Sequence, residues 1–232
     1  MKLPIASAVL ICSCLMAGNT PSARVPVLLE LFTSEGCSSC PPADRLLEKF
    51  DRDQSIAGAD LVVLSEHVDY WNQLGWRDPF SSAAYSERQR EYADRLHGEV
   101  YTPELVVDGA KGLVGSDERE ATAAIRDALR TPKATIGLSA QVMDGKAKIG
   151  IHLDGPLEGD VYLALAHDAT SSQVLRGENR GRALTHVAVV YAMQKMAGAE
   201  ATVPLQGDKT RVVVFVTKKG TGRVVAIGQA RL

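Results

Sequence analysis

The sequence predicts an α/β domain followed by an all-β, sandwich-like domain, and three observations carry the prediction. Between Val25 and about Leu129, apolar runs of strand length alternate with stripes of helical period. From Ala134 onward the period falls to two, with turn residues such as Asp144-Gly145 between the runs. Between these textures Thr131-Pro132 ends the last helical stripe, because a residue before proline is driven away from helical backbone angles. The divisions that follow are an export segment over 1–23, the α/β domain over 24–132 and the β domain over 133–232.

Val27-Leu28-Leu29-Glu30-Leu31-Phe32 reads as a strand buried on both faces. After Cys37-Ser38-Ser39-Cys40-Pro41-Pro42, the spacing of Ala43, Leu46, Leu47 and Phe50 predicts an amphipathic helix. Leu61-Val62-Val63-Leu64 is a second buried strand, and Asp78-Pro79-Phe80-Ser81 opens a polar helix that stops at Gly98. Leu105-Val106-Val107, entered through Thr102-Pro103 and left through Asp108-Gly109, is a third strand, and Leu113-Val114 a short fourth. Ser116 caps a last helix with Ala121, Ile125 and Ala128 on its buried side. The order is strand, helix, strand, helix, strand, strand, helix. About seven short strands follow, the pattern of a β-sandwich.

Composition narrows the function. With 45% apolar and 23% charged residues in 232, the chain is globular, and a net charge of −2 gives no footprint for nucleic acid. Lys2, the apolar run from Ile5 to Cys12 and the small residues up to Ala23 have the plan of a secretory signal peptide, which predicts a periplasmic or secreted protein. Ile11-Cys12-Ser13-Cys14 loosely matches a lipoprotein box, so a lipid anchor at Cys14 is the one membrane contact the sequence allows. Of four cysteines, Cys12 and Cys14 fall in this segment and leave Cys37 and Cys40 as the pair in the mature chain.

A Cys-x-x-Cys between a buried strand and a helix has a specific use. At a helix N-terminus, unpaired amides and the helix dipole stabilise a thiolate, lowering a thiol pKa to about 3.5–7.5. Cys37 is then the nucleophile and Cys40 the resolving thiol. Pro41 and Pro42 are tolerated if the helix starts at about Ser38 or Ser39, which keeps Cys37 at an exposed tip.

Through the strand-to-helix Cys37-Ser38-Ser39-Cys40, the Thr102-Pro103 before a strand ending at Asp108-Gly109, and the element order, residues 25–130 resemble the thioredoxin superfamily. The resemblance implies that Pro103 is cis, lies beside the disulfide, and that the backbone of Thr102 pairs with an extended substrate. More closely, the stretch from Glu30 to Pro41, His67-Val68-Asp69-Tyr70-Trp71 and Gly177-Glu178-Asn179-Arg180-Gly181-Arg182 resemble an uncharacterised family of secreted bacterial proteins with a thioredoxin-like domain and a β-rich tail. There are departures. Gly36 stands where thioredoxins have a tryptophan, and Ser38-Ser39 where they have Gly-Pro. Their proton-relaying acid lies six residues before the first cysteine; Leu31 is there, and Glu30, one residue earlier, is the candidate relay.

The expectation is therefore an exported thiol–disulfide oxidoreductase acting on protein thiols or disulfides with a redox partner protein, without nucleic acid and without a cofactor. Its candidate residues are Cys37, Cys40 and Glu30 for chemistry, and Thr102, Pro103 and Trp71 for substrate. Trp71 belongs to an aromatic connector with Tyr70 and Trp76 that offers an apolar wall. Two rivals are a copper(I) carrier in which His67 or His97 completes two thiolates, and a binding module with a structural disulfide. Arg176, Arg180 and Arg182 read as a solvated charge run, and no Gly-x-Ser-x-Gly elbow supports a hydrolase.

Overall fold

The computed structural model describes residues 24–153, 155 and 159–232. The expected export segment, with Cys12 and Cys14, lies outside them. Strand β1 (Val25–Thr33) is followed by α1 (Pro41–Asp53), β2 (Ala59–His67), α2 (Ala83–Leu96), β3 (Glu104–Val107), β4 (Lys111–Val114) and α3 (Glu118–Ala128). The remainder is all strand: β5 (Ala134–Thr135), β6 (Gly137–Met143), β7 (Lys146–His152), β8 (Asp160–Gln173), β9 (Ala183–Lys195), β10 (Glu200–Pro204), β11 (Thr210–Thr217) and β12 (Val224–Arg231). Among these described residues no helix is long and apolar enough to cross a membrane.

The architecture is mixed α/β. Nine strands form one sheet in the order β4-β3-β1-β2-β9-β8-β11-β12-β5, and β10-β7-β6 form a second, smaller sheet. β1 runs parallel to β2 and antiparallel to β3. The β-rich half does not stand apart from the α/β half. Its β9 adds in parallel to the free edge of β2, with Ser65 opposite Val189, so an edge that would expose unpaired amides is covered. One apolar core runs across the seam, joining Leu31, Leu47 and Leu64 to Ala166, Val190 and Phe215. The small sheet packs on the far end of the large one through a second core that includes Ile149, Leu165, Val203 and Val214. Buried Arg211 of β11 binds Asp51 of α1 at 2.6 and 3.0 Å, a charged tie between the halves.

All three helix starts differ from expectation, and the smallest difference is at α3, where Asp117 rather than Ser116 is the cap, its side chain accepting the Glu120 amide at 2.8 Å. α1 begins at Pro41, with Cys40 as its N-cap and the prolines in its first two positions. A start at Ser38 would put Pro42 where the helix needs an amide donor, so the chain instead makes two successive turns, Cys37 N to Ser34 O at 3.1 Å and Cys40 N to Cys37 O at 3.3 Å. α2 begins at Ala83, capped by the Ser82 hydroxyl, and this frees Asp78 for another use.

The alternation of β1 decides what its side chains meet. Phe32 packs edge-on against Tyr92 of α2, whereas the Thr33 hydroxyl donates to Asp44 of α1 at 2.8 Å. The two helices therefore cover opposite faces.

Candidate functional site

Cys37 and Cys40 form a disulfide where β1 gives way to α1, with Cα atoms 5.4 Å apart. The Thr102-Pro103 peptide is cis. Thr102 O lies 3.9 Å from Cys37 Sγ, and Ser39 Oγ lies 3.2 Å from the same sulfur and 3.5 Å from that carbonyl. Trp71 Nε1 donates to Thr102 Oγ1 at 2.8 Å, fixing the residue before the proline. Gly36 suits this close approach, since a Cβ at this position would lie 3.0 Å from Trp71 Cβ. The structure thus brings together five of the six candidates, Cys37, Cys40, Trp71, Thr102 and Pro103.

Two expectations about this site are corrected. Cys37 is not at an exposed tip: both cysteines are 0% exposed, although Ser38 and Ser39 between them face solvent. Nor does α1 offer Cys37 a rosette of free amides. Its first two residues are prolines, and the next two amides, of Ala43 and Asp44, both donate to Cys40 O, at 2.8 and 3.1 Å. Donors for a Cys37 thiolate must come from the turn itself and from Ser39.

The cover comes from the β8–β9 loop. Buried Asn179 donates from Nδ2 to the carbonyls of Glu35 and Cys37, each at 2.8 Å, and Arg182 fixes its oxygen at 3.0 Å. Next to it, the Glu178 carboxylate accepts the Ser38 amide at 3.0 Å. Gly177, at φ +74, permits the close approach: a Cβ there would lie 3.1 Å from Trp76 Cβ.

A buried charge cluster sits at the carboxyl ends of β1 and β2, on the α1 side. His67 Nδ1 pairs with Asp78 at 2.7 Å, and Asp78 also accepts the Glu35 amide at 2.8 Å. Trp76 Nε1 donates to Glu35 at 2.8 Å, and Ser172 to its other oxygen. His186 of β9 lies between Glu35 and Asp44, at 3.4 and 3.7 Å. Burial opposes charge on His186, but Asp44 and Glu35 outweigh it and raise its pKa to about 10. Burial likewise pushes Glu35 up, yet the nearby His186 and hydrogen bonds from Ser172 and Trp76 leave it below the usual carboxylate range. Asp78 is lowered against its burial by His67 and two backbone amides. Asp44, one turn after Cys40, shares that residue's side of α1.

Glu30 lies elsewhere. Strand alternation turns it to the α2 face, where Arg88 binds it at 2.7 and 2.5 Å and the Tyr92 hydroxyl donates to it. Glu66 is beside this group, with Arg88 at 3.6 Å; burial and the neighbouring Glu30 carboxylate raise its pKa well above normal. Of the two histidines of the copper reading, His67 gives Nδ1 to Asp78, and His97 caps the C-terminus of α2 at φ 54. Among the described residues no group of three or more His, Cys, Asp or Glu side chains is arranged to hold a metal. Three site residues to which the sequence assigns no role, Glu178, Asn179 and His186, come from far along the chain. The first two lie in the Gly177–Arg182 stretch that carries the family resemblance.

A family model described as "Protein of unknown function (DUF1223)" matches residues 28–227. A crystal structure of a structural-genomics target protein from Agrobacterium tumefaciens is 30% identical, covers 90% of this chain and 94% of its own, and superposes with a TM-score of 0.63. Partial likenesses extend to the spore cortex lytic enzyme SleM of Clostridium perfringens (8% identity, 44% of this chain and 28% of that one, TM-score 0.27) and a β-glucuronidase of Ruminococcus gnavus (11%, 44% and 16%, 0.26). Neither bears on the function. No curated protein matches the chain.

Proposed function

We propose that this chain, which belongs to the DUF1223 family of proteins of unknown function, is an exported, thioredoxin-like thiol–disulfide oxidoreductase that acts on protein thiols or disulfides. The observation that carries the reading is the seating of the Cys37–Cys40 disulfide at a strand-to-helix junction, with the carbonyl before cis-Pro103 only 3.9 Å from Cys37 Sγ. The element order of residues 25–130 supports it further. Location in the periplasm or outside the cell follows from the signal-like first 23 residues.

In the reductive direction, the Cys37 thiolate attacks a partner disulfide. A Cys37–partner disulfide forms and one partner sulfur leaves as a thiolate. Cys40, after losing its proton, attacks Cys37 Sγ, so the Cys37–Cys40 bond forms and the second partner sulfur leaves. Two electrons pass from the cysteine pair to the partner, and the oxidative direction is the reverse. The Ser39 hydroxyl is placed to donate to the Cys37 thiolate. Thr102, oriented by Trp71, presents its backbone to the partner segment. Glu30 takes no part, being held by Arg88 on the other face of the sheet. The partner reaches the sulfurs when the Glu178–Asn179 loop lifts.

The test is equilibration of the folded protein in glutathione redox buffers, reading its free thiols by labelling. A reversible transition at a defined glutathione ratio is expected, and its midpoint gives the direction of the reaction. A disulfide that exchanges only on unfolding would overturn the reading and leave a structural bridge.

A further inference from the structure

We propose that Glu178 sets the redox poise of this cysteine pair, holding it toward the disulfide by disfavouring the Cys37 thiolate. The inference rests on the oxidoreductase reading and adds to it a residue 140 positions from Ser38 in sequence. Sulfur anions are stabilised by amide donors, and α1 supplies few of them to the turn at Cys37. The two prolines remove amides from the start of α1, and the Cys40 amide is bonded to Cys37 O. The Ser38 amide, next in the chain after Cys37, is the remaining placed donor whose partner is known, and the Glu178 carboxylate occupies it at 3.0 Å. That hydrogen bonding to Ser38 also keeps the Glu178 carboxyl below the usual range, so it is charged at neutral pH. A full negative charge therefore stands at the mouth of the site, where a thiolate must form on reduction. Asn179 holds it there by clamping the carbonyls of Glu35 and Cys37.

Other charges border the pair: in the loop itself the exposed Arg176 and Arg180 stand two residues either side of Glu178. The buried carboxylates Glu35 and Asp44 are matched by His186. Arg182, the cation of the same loop with a placed contact, spends one amine on Asn179 Oδ1. For the balanced exchange, in which the protein disulfide and two glutathione thiols give the protein dithiol and one glutathione disulfide, removing the Glu178 charge favours the dithiol side.

The experiment compares wild type, Glu178→Gln and Glu178→Ala in glutathione redox buffers. The glutamine variant keeps an acceptor for Ser38 but loses the charge; the alanine variant loses both. Both variants are expected to shift the equilibrium constant toward the dithiol, the alanine variant by about three- to tenfold, where tenfold corresponds to ~30 mV for a two-electron couple. The shift shrinks as salt is raised from low to molar concentration, since a solvent-exposed charge is screened. A latch without electrostatic effect would change exchange rates and leave the equilibrium constant and its salt dependence as in wild type, and that result overturns the proposal. Wild-type protein that does not exchange at all would overturn the oxidoreductase reading itself, so the two failures are distinguishable. Circular dichroism melts of the oxidised variants establish that each is folded.

Discussion

Two buried charge clusters lie on opposite faces of β1 and β2, and they differ in composition and in company. On the α1 face, Glu35, Asp44 and Asp78 are matched with His67 and His186 and border the disulfide turn. On the α2 face, Glu30 and Glu66 share one cation, Arg88, with Tyr92. The first cluster is built from both halves of the chain, since Ser172 and His186 come from β8 and β9. The second is local to β1, β2 and α2, and one of its carboxylates has its pKa pushed well above the ordinary value by burial and by the other. A buried acid close in sequence to a cysteine pair is thus no guide to which cluster it joins; the parity of one strand decides.

The largest effects test whether each cluster is balanced as described. Removing one partner of a buried ion pair leaves uncompensated charge, which costs about 3–5 kcal/mol. His186→Ala is expected to lose that much in denaturant unfolding, stranding Glu35 and Asp44, and Arg88→Met the same, stranding Glu30. The clusters part in function: Arg88→Met, if folded, keeps the wild-type glutathione equilibrium. A changed equilibrium there would break the distinction between the faces.

Next comes pH. His186 has a folded pKa of about 10 against an ordinary 6.5, so its contribution is complete below pH 6.5 and is lost as pH rises through 10. Glu35 and Asp78 are lowered, so their contributions are present above their ordinary values of 4.5 and 3.8 and are lost as pH falls. Melting temperature should therefore decline on both sides of neutrality, and the alkaline limb between about pH 6.5 and 10 should be missing from His186→Ala. A wild-type curve flat through that window would contradict the charge assigned to His186.

Smaller effects sharpen the contrast. Asn179→Ala orphans two carbonyls and loosens the cover, so oxidised protein should be reduced several-fold faster by dithiothreitol in stopped-flow assays; an unchanged rate would mean the loop does not limit access. Smallest is Glu66→Gln. Because burial and Glu30 already disfavour charge on Glu66, this change should shift stability by less than about 1 kcal/mol. A large loss would show that Glu66 carries charge.

Local patterns were readable and long-range ones were not. The Cys37–Cys40 spacing, Thr102-Pro103 and Trp71 converge because each sits at a strand end, and the resemblance had already placed the proline against the sulfurs. The strands of the second half follow from their alternation. The union of β2 with β9 leaves no local trace, since a single register pair, Ser65 with Val189, joins segments that each look complete. The roles of Glu178 and Asn179 are not legible in the sequence because their partners, Ser38 and Cys37, lie 140 and 142 residues away. Glu30 was misassigned for a different reason: β1 is apolar on both faces, so its sequence does not say which side holds α1. The start of α1 was in principle legible, because Pro41-Pro42 fits only the first turn.

The most direct test of the central claim is to trap the intermediate. Reduced Cys40→Ser protein mixed with glutathione disulfide, then acid-quenched and analysed by mass spectrometry, should carry one glutathione per chain on Cys37, while Cys37→Ser protein should react far more slowly at Cys40. Equal labelling of the two variants, or none on Cys37, would contradict the assignment of Cys37 as the attacking sulfur.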